Sequence, residues 1–276
     1  MEKDQNFSGE NIHKTACVSQ GAVIHPSAEV GPFCVVGPQV KLSAGVKLHS
    51  HVVIERDTII GEKTEVFPFA VLGSKPQSLQ YKDQPTKLII GSHNSIHEYV
   101  TIHRGTEEGG GITQIGDNGI FMVACHIAHD CQIGNNAIMA NNATLGGHVK
   151  LGDFVYVGGL SAVHPGVRIG SQAILGGLSA VEGNVIPYGS VMGERAKLCG
   201  LNIIGMKRRG LKRDDIHELR AAYRMLFANE GTMKERLVDV QQHFKGYPLI
   251  DEILNFMMEE SKRPFCLPKG VVVHDN

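Results

Sequence analysis

The sequence lacks tryptophan, and aromatic residues make up only 6% of its 276 residues. This scarcity disfavours a sandwich fold built around buried aromatic side chains. No apolar run approaches the roughly 18 residues that a membrane-spanning helix needs. Lys and Arg number 27 against 28 Asp and Glu, so the formal net charge of −1 gives no basic field for nucleic acid. We therefore expect no nucleic-acid partner and no membrane insertion.

An export signal is also missing from the first residues, MEKDQNF, which show no apolar segment behind a basic one. The six cysteines are therefore expected to be reduced thiols, because disulfides persist mainly in exported proteins. Hydrophobic residues make up 42% of the chain, too many for a disordered protein. These properties predict a folded, cytoplasmic protein.

What the sequence has instead is 33 glycines and an apolar residue at every sixth position over three stretches, 12–72, 90–102 and 115–181. We call each repeating unit a hexad and its apolar residue the anchor. The residue two positions before each anchor is usually small or β-branched, and glycine often follows the anchor. A period of six fits neither an amphipathic helix nor a long alternating strand. It fits a short strand and a turn in each hexad, with three hexads closing one coil.

Coils of this kind stack at the strand spacing of about 4.8 Å, with the anchors inside and glycine or a polar residue at each corner. We therefore predict a mostly β fold, a three-sided parallel β-helix over residues 1–191. The period breaks near 73–89 and 103–114, where we expect loops expelled from the coils. Such loops usually carry binding or assembly functions.

After about Val191 the pattern becomes helical, and residues 192–276 are predicted to form a small α-helical domain. The predicted helix starts are a cap at Asp214 or Asp215, a capping box of Thr232 with Glu235, and Pro248 at a first helical position.

Four of the 14 histidines, His126, His129, His148 and His164, fall near anchors that are separated by three hexads, which is one whole coil. Stacked coils would therefore align the four imidazoles along one edge of the column. Asp130 is placed to hold the imidazole of His129 in one tautomer and to stabilise its charged form. This arrangement suits a general base that acts on a hydroxyl nucleophile.

Metal binding is the rival chemistry for the same histidines. Three histidines from adjacent coils can bind zinc and leave a position for water, as in carbonic anhydrases of the γ type. The candidate ligands are His126, His129 and His148. The histidines differ in their offsets from the anchors, which disfavours a shared metal. A structural or binding solenoid without enzymatic activity is a third reading of the repeat.

Several segments carry a resemblance to a known family. They are HIAHDCQIGNN (126–136), NNATLGGHV (141–149), VTIHRG (100–105), GPFCVVGP (31–38) and GLNIIGMKRRG (200–210). In these segments, and over nearly the whole chain, the sequence resembles the UDP-N-acetylglucosamine O-acyltransferases of lipid A biosynthesis. The resemblance implies a left-handed β-helix with a helical C-terminal domain, assembled as a homotrimer with active sites between subunits.

The family moves an (R)-3-hydroxyacyl chain from acyl carrier protein to the 3-hydroxyl of the UDP-amino sugar, without a metal or other cofactor. By resemblance, His129 is the general base, Asp130 orients it, and the Gly147 backbone N–H donates to the oxyanion. The resemblance also implies a set of substrate-binding residues. They are His126, His148, His164 and Gln77 near the base, Asn202, Arg208 and Arg209 on the nucleotide, and Gly177 where the acyl chain ends.

Four positions depart from the family's pattern. They are Pro165 in place of a glutamine, Ile204 in place of a common glutamate, and Ser78 and Gln80 in place of an aspartate and a lysine. Because polar contacts to the acceptor are lost, we hypothesise that the 3-amino analogue of the sugar is accepted, which would give an amide. The cationic run 207–213 is interpreted as a patch for an acidic carrier protein or a pyrophosphate.

Overall fold

The computed structural model describes residues 11–270, so MEKDQNF and the outer ends of the predicted domains 1–191 and 192–276 lie outside the described residues. Short strands fill most of this range, and their bounds in chain order are β1 (Cys17–Val18), β2 (Val23–Ile24), β3 (Glu29–Val30), β4 (Val35–Val36), β5 (Lys41–Leu42), β6 (Lys47–Leu48), β7 (Val53–Ile54), β8 (Thr58–Ile60), β9 (Glu65–Val66), β10 (Val71–Ser74), β11 (Lys87–Ile90), β12 (Ser95–Ile96), β13 (Thr101–His103), β14 (Ile112–Ile115), β15 (Ile120–Phe121), β16 (His126–Ile127), β17 (Gln132–Ile133), β18 (Ile138–Met139), β19 (Thr144–Leu145), β20 (Lys150–Leu151), β21 (Tyr156–Val157), β22 (Ala162–Val163), β23 (Arg168–Ile169), β24 (Ile174–Leu175), β25 (Ala180–Val181), β26 (Gly189–Met192) and β27 (Lys197–Leu201).

The strands form three sheets, one on each side of a prism. Sheet 1 has the order β1-β4-β7-β10-β13-β16-β19-β22-β25, sheet 2 the order β2-β5-β8-β11-β14-β17-β20-β23, and sheet 3 the order β27-β26-β24-β21-β18-β15-β12-β9-β6-β3. Neighbouring strands are one coil apart, since Cys17 pairs with Val35 and His126 with Thr144, in parallel and at an offset of three hexads. We name the prism edges by the sheets that they join: edge 1–2, edge 2–3 and edge 3–1.

The hexad anchors fill the interior of the prism. Val36, Ile54, Leu72, Ile127 and Leu145 are all 0% exposed. Fully burying one such side chain stabilises the fold by about 1.5–3 kcal/mol. The three-sided parallel β-helix and its coil of three hexads are therefore confirmed.

The corners agree only in part with the prediction that glycine or a polar residue takes them. The residue three positions after the anchor has a left-handed backbone, and it is polar at Asp130 (φ 62°) and His148 (φ 61°) but apolar at other corners, such as Phe33 (φ 59°). The frequent glycine directly after an anchor is explained by close packing and not by a left-handed backbone. A Cβ on Gly61 would lie 2.5 Å from the carbonyl carbon of Gly91 in the next coil. Glycine is required there because the coils approach so closely.

Both expelled loops leave the prism at edge 1–2. The first, 75–86, connects β10 to β11, and the second, 104–111, connects β13 to β14. The guanidinium of Arg104, which is 3% exposed, donates hydrogen bonds to the Gly73 carbonyl (2.5 Å) and the Tyr81 hydroxyl (3.2 Å). This buried cation therefore ties the second loop to the first.

The chain leaves the last coil through an antiparallel pair, β26 and β27, and not directly through a helix as the pattern after Val191 predicts. Four helices follow within the described range: α1 (Ile203–Arg208), α2 (Arg213–Leu226), α3 (Met233–His243) and α4 (Pro248–Met258). Strand β26 crosses the predicted boundary at 191/192, and the division into two domains stays a prediction. Among residues 11–270, every helix is too short or too polar to span a bilayer.

The predicted cap at Asp214 or Asp215 is wrong. The N-cap of α2 is Lys212, and both aspartates lie in the first turn, where their charges favour the positive end of the helix dipole. The capping box of Thr232 with Glu235 is confirmed, as is Pro248 at the start of α4.

The stacking of glycines makes a prediction about stability. Gly61→Ala is expected to lower the free energy of unfolding by about 1–3 kcal/mol, because its methyl group would overlap backbone atoms of Gly91. Thermal melting followed by circular dichroism measures the loss. Gly159→Ala is the control, since the nearest atom to its added Cβ lies 3.3 Å away. Equal melting temperatures for the two variants would contradict the interpretation.

Candidate active site

Edge 1–2 collects most of the residues predicted to act near the base. The chain turns there after each strand of sheet 1, at His129 and Asp130, at Gly147 and His148 one coil further, and then at His164. His126 lies on β16 beside this edge. Strand pairing between coils, and not proximity in the chain, places these residues along one line.

The pair His129–Asp130 has the geometry of a base and its orienting carboxylate. His129 Nδ1 lies 2.7 Å from Asp130 Oδ2. Since an ionised carboxylate can only accept, Nδ1 carries the proton, and the lone pair of the ring is on Nε2. The His129 side chain is 16% exposed, so most of the ring is shielded from water.

Asp130 is held by more than His129. Thr106 donates to Oδ1 from its backbone N–H (2.7 Å) and to Oδ2 from its hydroxyl (2.7 Å), while the Asp130 N–H donates to Thr113 Oγ1 (2.8 Å). Burial opposes ionisation of the carboxyl, but the hydrogen bonds from His129 and Thr106 outweigh it and hold the pKa of Asp130 below its usual value. Asp130 is therefore an anion at neutral pH.

Gly147 lies directly against the base. A Cβ at this position would be 2.7 Å from Cε1 of His129 and 2.9 Å from Nε2, so any side chain would displace the ring. Within residues 11–270 the Gly147 N–H has no hydrogen-bond acceptor. A glycine here thus lets the backbone, with its N–H, lie close to the ring of the base.

Three further histidines surround the pair. The His148 ring meets that of His129 edge-on at 5.1 Å, and its Nε2 is 3.7 Å from Asp130 Oδ2. His126 is bonded through Nδ1 to Thr101 Oγ1 (2.8 Å) and contacts the ring of His103 at 4.8 Å. Burial, and then the neighbouring His129, lower the pKa of His126. His103 and His126 are therefore neutral neighbours of the base.

The remaining candidates on edge 1–2 lie further out. His164 is exposed, and its Nδ1 is 3.3 Å from the Pro165 carbonyl. Gln77 is exposed on loop 75–86, which the Arg104 contacts hold against loop 104–111. The structure therefore gathers His126, His129, Asp130, Gly147 and His148, with His164 and Gln77 on their periphery.

The predicted nucleotide residues lie elsewhere in the single chain, beside a cleft of about 940 Å³ over sheet 3 and α1. Asn202 is the N-cap of α1, accepting from the Gly205 N–H (3.0 Å) and donating to the Gln172 carbonyl (2.9 Å). Arg209 Nε donates to Gln172 Oε1 (2.7 Å) and its guanidinium lies over the Phe154 ring. Burial lowers the pKa of Arg209. These residues are grouped with one another and not with His129.

Three more predicted positions can be placed in the same part of the molecule. Arg208 and Ile204 line the same cleft, and both are exposed. Gly177 is at edge 3–1, where a Cβ would meet the Gly159 carbonyl oxygen at 3.3 Å. A side chain at Gly177 would therefore be in tight contact with the backbone of the preceding coil. The roles assigned to these residues stay predictions.

The geometry bears on the zinc hypothesis. Among the described residues, His129, Asp130 and His148 bring ligand atoms within 4.8 Å of one another. This set has two imidazoles and a carboxylate rather than three histidines, since His126 is turned to Thr101. The carboxylate also already accepts three hydrogen bonds. The donors fit an oriented base better than a metal site.

Sequence reasoning missed Thr106, Thr113 and Gly109. A Cβ on Gly109 would overlap the Asp130 carboxyl, so this glycine lets the loop backbone cover the anion. One feature of the sequence could have pointed to them. Residues 104–111 leave the prism at the same edge as Asp130 and one coil before it, so this loop is placed to cover the carboxylate. Loop backbone geometry is not readable from a hexad pattern.

The buried His103 predicts a pH dependence of stability. It is 6% exposed, and burial, followed by the charges of His126 and His129, lowers its pKa to about 4. Between about pH 4 and the unfolded value near 6.5, only the unfolded state takes up this proton, so stability falls as the pH falls through this window. The loss reaches about 3 kcal/mol.

His103→Gln is expected to remove this dependence, so that urea midpoints at pH 7.5 and pH 4.5 lie closer together than in the wild type. The exposed His25→Gln is the control and should leave the difference unchanged. An unchanged difference in His103→Gln would mean that other groups set the acid lability.

Comparisons with known proteins identify the family of this chain. A family model described as UDP N-acetylglucosamine O-acyltransferase, domain 2, matches residues 184–266. The acyl-[acyl-carrier-protein]–UDP-N-acetylglucosamine O-acyltransferase of Caulobacter vibrioides is 52% identical over 262 residues, covering 95% of this chain and 100% of the relative. The protein of the same name from Azorhizobium caulinodans is 48% identical over 266 residues, covering 96% and 98%.

The crystal structure of UDP-N-acetylglucosamine O-acyltransferase from Moraxella catarrhalis superposes with a TM-score of 0.87 at 39% identity, covering 93% of this chain and 99% of that chain. The left-handed winding expected from the resemblance is that of these solved structures, so the fold class is confirmed. The chain therefore belongs to the family of acyl-[acyl-carrier-protein]–UDP-N-acetylglucosamine O-acyltransferases.

Proposed function

We propose that this protein transfers an (R)-3-hydroxyacyl chain from acyl carrier protein to the 3-hydroxyl of UDP-N-acetylglucosamine, the first step of lipid A biosynthesis. The observation that carries the proposal is the pair His129–Asp130, whose imidazole lies against Gly147, a residue whose N–H has no acceptor among residues 11–270. A basic nitrogen and an oxyanion donor at one point are what acyl transfer to a hydroxyl requires.

In the attack step, His129 Nε2 removes the proton of the sugar 3-hydroxyl as its oxygen forms a bond to the thioester carbon. The proton makes the ring an imidazolium, which the anionic Asp130 stabilises through Nδ1–H. Because Asp130 is fixed by Thr106, the ring keeps this orientation throughout the step.

The carbonyl oxygen becomes an oxyanion, and the Gly147 N–H donates to it. One such donor contributes about 3–4 kcal/mol to the transition state. The tetrahedral intermediate then collapses, the carbon–sulfur bond breaks, and the carrier thiolate takes the proton from His129. The products are the 3-O-acyl sugar nucleotide and the free carrier thiol, and the base is regenerated.

The hydroxyl acceptor is favoured over the 3-amino analogue. The relatives from Caulobacter vibrioides and Azorhizobium caulinodans are named O-acyltransferases. Of the departing positions, Ile204 and Pro165 are exposed, and Ser78 and Gln80 lie on loop 75–86. Neither amide formation nor a zinc carbonic anhydrase is favoured by the names of these relatives.

We also propose the homotrimer that the resemblance implies. Edge 3–1 exposes an apolar line along the prism, including Phe33 (56%), Phe69 (46%), Tyr99 (58%), Leu160 (62%) and Leu178 (70%). Exposed apolar surface of this extent is typical of a subunit interface. The base lies at edge 1–2 and Arg209 near edge 2–3 of the same chain. A neighbouring subunit supplies the missing half of the site in a trimer.

A cationic groove supports the binding of acyl carrier protein. A groove of about 490 Å³ between α1 and α2 is lined by Lys207, Arg213, His217 and Arg220, with Asp214 as an acidic member. This excess of cations suits an acidic carrier.

All six cysteines are unpaired within the described range, as expected in the reducing cytoplasm, where we place the protein.

Substitutions at the base test the proposed reaction. His129→Ala is expected to lower kcat by about 10²–10⁴-fold, because no other group removes the hydroxyl proton. Asp130→Asn is expected to act similarly, since an amide no longer fixes the Nδ1–H tautomer. Turnover of acyl carrier protein with UDP-N-acetylglucosamine is measured as thiol release. The exposed His25→Gln is the matched control, and full activity in His129→Ala would reject the base.

The trimer is tested separately. Phe69→Glu is expected to shift the mass measured by sedimentation from three chains toward one, because it places a charge in the apolar line of edge 3–1. Val23→Glu is the control, since Val23 is 58% exposed on the outer face of sheet 2. A wild-type protein that sediments as a monomer would overturn the assembly.

A further inference from the structure

We propose that Thr106 is a positioning residue for acyl transfer, which holds both oxygens of Asp130 and through them sets the orientation of His129. The inference rests on the proposed function. Thr106 lies on loop 104–111, is 7% exposed, and acts through Asp130 and not by touching a substrate.

The geometry is a two-point grip on one carboxylate. The Thr106 N–H donates to Oδ1 and its hydroxyl to Oδ2, each at 2.7 Å. His129 Nδ1 meets the same Oδ2 at 2.7 Å. With the Asp130 side chain 1% exposed, the grip leaves the carboxylate one orientation, in which Oδ2 faces the imidazole.

The direction of the Thr106 hydroxyl is fixed as well. The Gly109 N–H donates to Thr106 Oγ1 (3.1 Å), so this oxygen accepts from the loop and its own hydrogen is directed at Asp130 Oδ2. A turn bond from the Gly111 N–H to the Thr106 carbonyl (2.7 Å) closes the loop over the carboxylate. The loop is therefore built around the anion.

The consequence is electrostatic. Thr106 shares the charge on Oδ2 with His129, so the carboxylate stays ionised and does not take the proton that the imidazole carries during turnover. Without the hydroxyl, the fuller negative charge on Oδ2 would hold a proton on the His129–Asp130 pair more tightly. The pair would then need a higher pH to become active.

The test compares Thr106→Val, which removes the hydroxyl at nearly constant volume, with Thr106→Ser, which keeps it. Thr64→Val is the matched control. Thr64 is also buried (0% exposed), donates to the Gly91 carbonyl and accepts from the Asn94 N–H, but lies near edge 2–3. All variants are assayed as full chains for kcat and KM between pH 5 and pH 9.

Thr106→Val is expected to lower kcat about 10- to 100-fold at neutral pH, with KM for both substrates nearly unchanged. Its acid limb should move upward by roughly 0.5 pH unit or more. Thr106→Ser should restore the wild-type profile, and Thr64→Val should keep it while melting at a lower temperature. An equal loss of activity at every pH in Thr106→Val, or the same profile in Thr64→Val, would overturn the inference.

A readout without turnover separates the inference from the proposed function. In protein labelled with ¹³Cγ-aspartate, the Asp130 signal is identified by its loss in Asp130→Asn. Its titration midpoint should rise in Thr106→Val and not in Thr64→Val. If that shift occurs but the wild type transfers no acyl chain, the proposed function fails while the positioning role stands. An unshifted midpoint rejects the positioning role even in an active enzyme.

Discussion

The structure depends on parallel hydrogen bonding between successive coils, whose paired residues are three hexads apart in the chain. Residues that occupy the same place in hexads 18 residues apart are therefore brought to the same edge of the prism. The interior anchors hold the stack together, and their burial fixes which residues face outward. The site is a consequence of this register, since His129, Gly147 and His148 reach one edge only through the stacking of consecutive coils.

Much of this arrangement is readable from the sequence. Eleven consecutive anchors from Ile12 to Leu72 are enough to define the interior, the coil and the edges, and the breaks in the period locate both expelled loops. The proximity of His129 to His148 follows from the same stacking, since both residues lie just after anchors, Ile127 and Leu145, that are one coil apart. The tie between His129 and Asp130 is readable because the two residues are adjacent in the chain.

The rest depends on geometry that no period encodes. Thr106 reaches Asp130 because loop 104–111 folds back at one edge, and the path of a loop depends on its own turns and contacts. The cap of α2 is Lys212, since the helix begins one residue before the aspartates that its sequence offers. The grouping of Asn202 with Arg209 around Gln172 likewise depends on how α1 packs against the last coils.

The exact register of the coils has a consequence for how such a chain tolerates changes in length. Losing one residue within a hexad would rotate every later anchor out of the interior, whereas residues added at an edge, as in 75–86 and 104–111, leave the column intact. Such a chain therefore tolerates the insertion of whole coils or of loops at an edge. Both of its inserted loops lie at edge 1–2, the edge that carries His129 and Asp130.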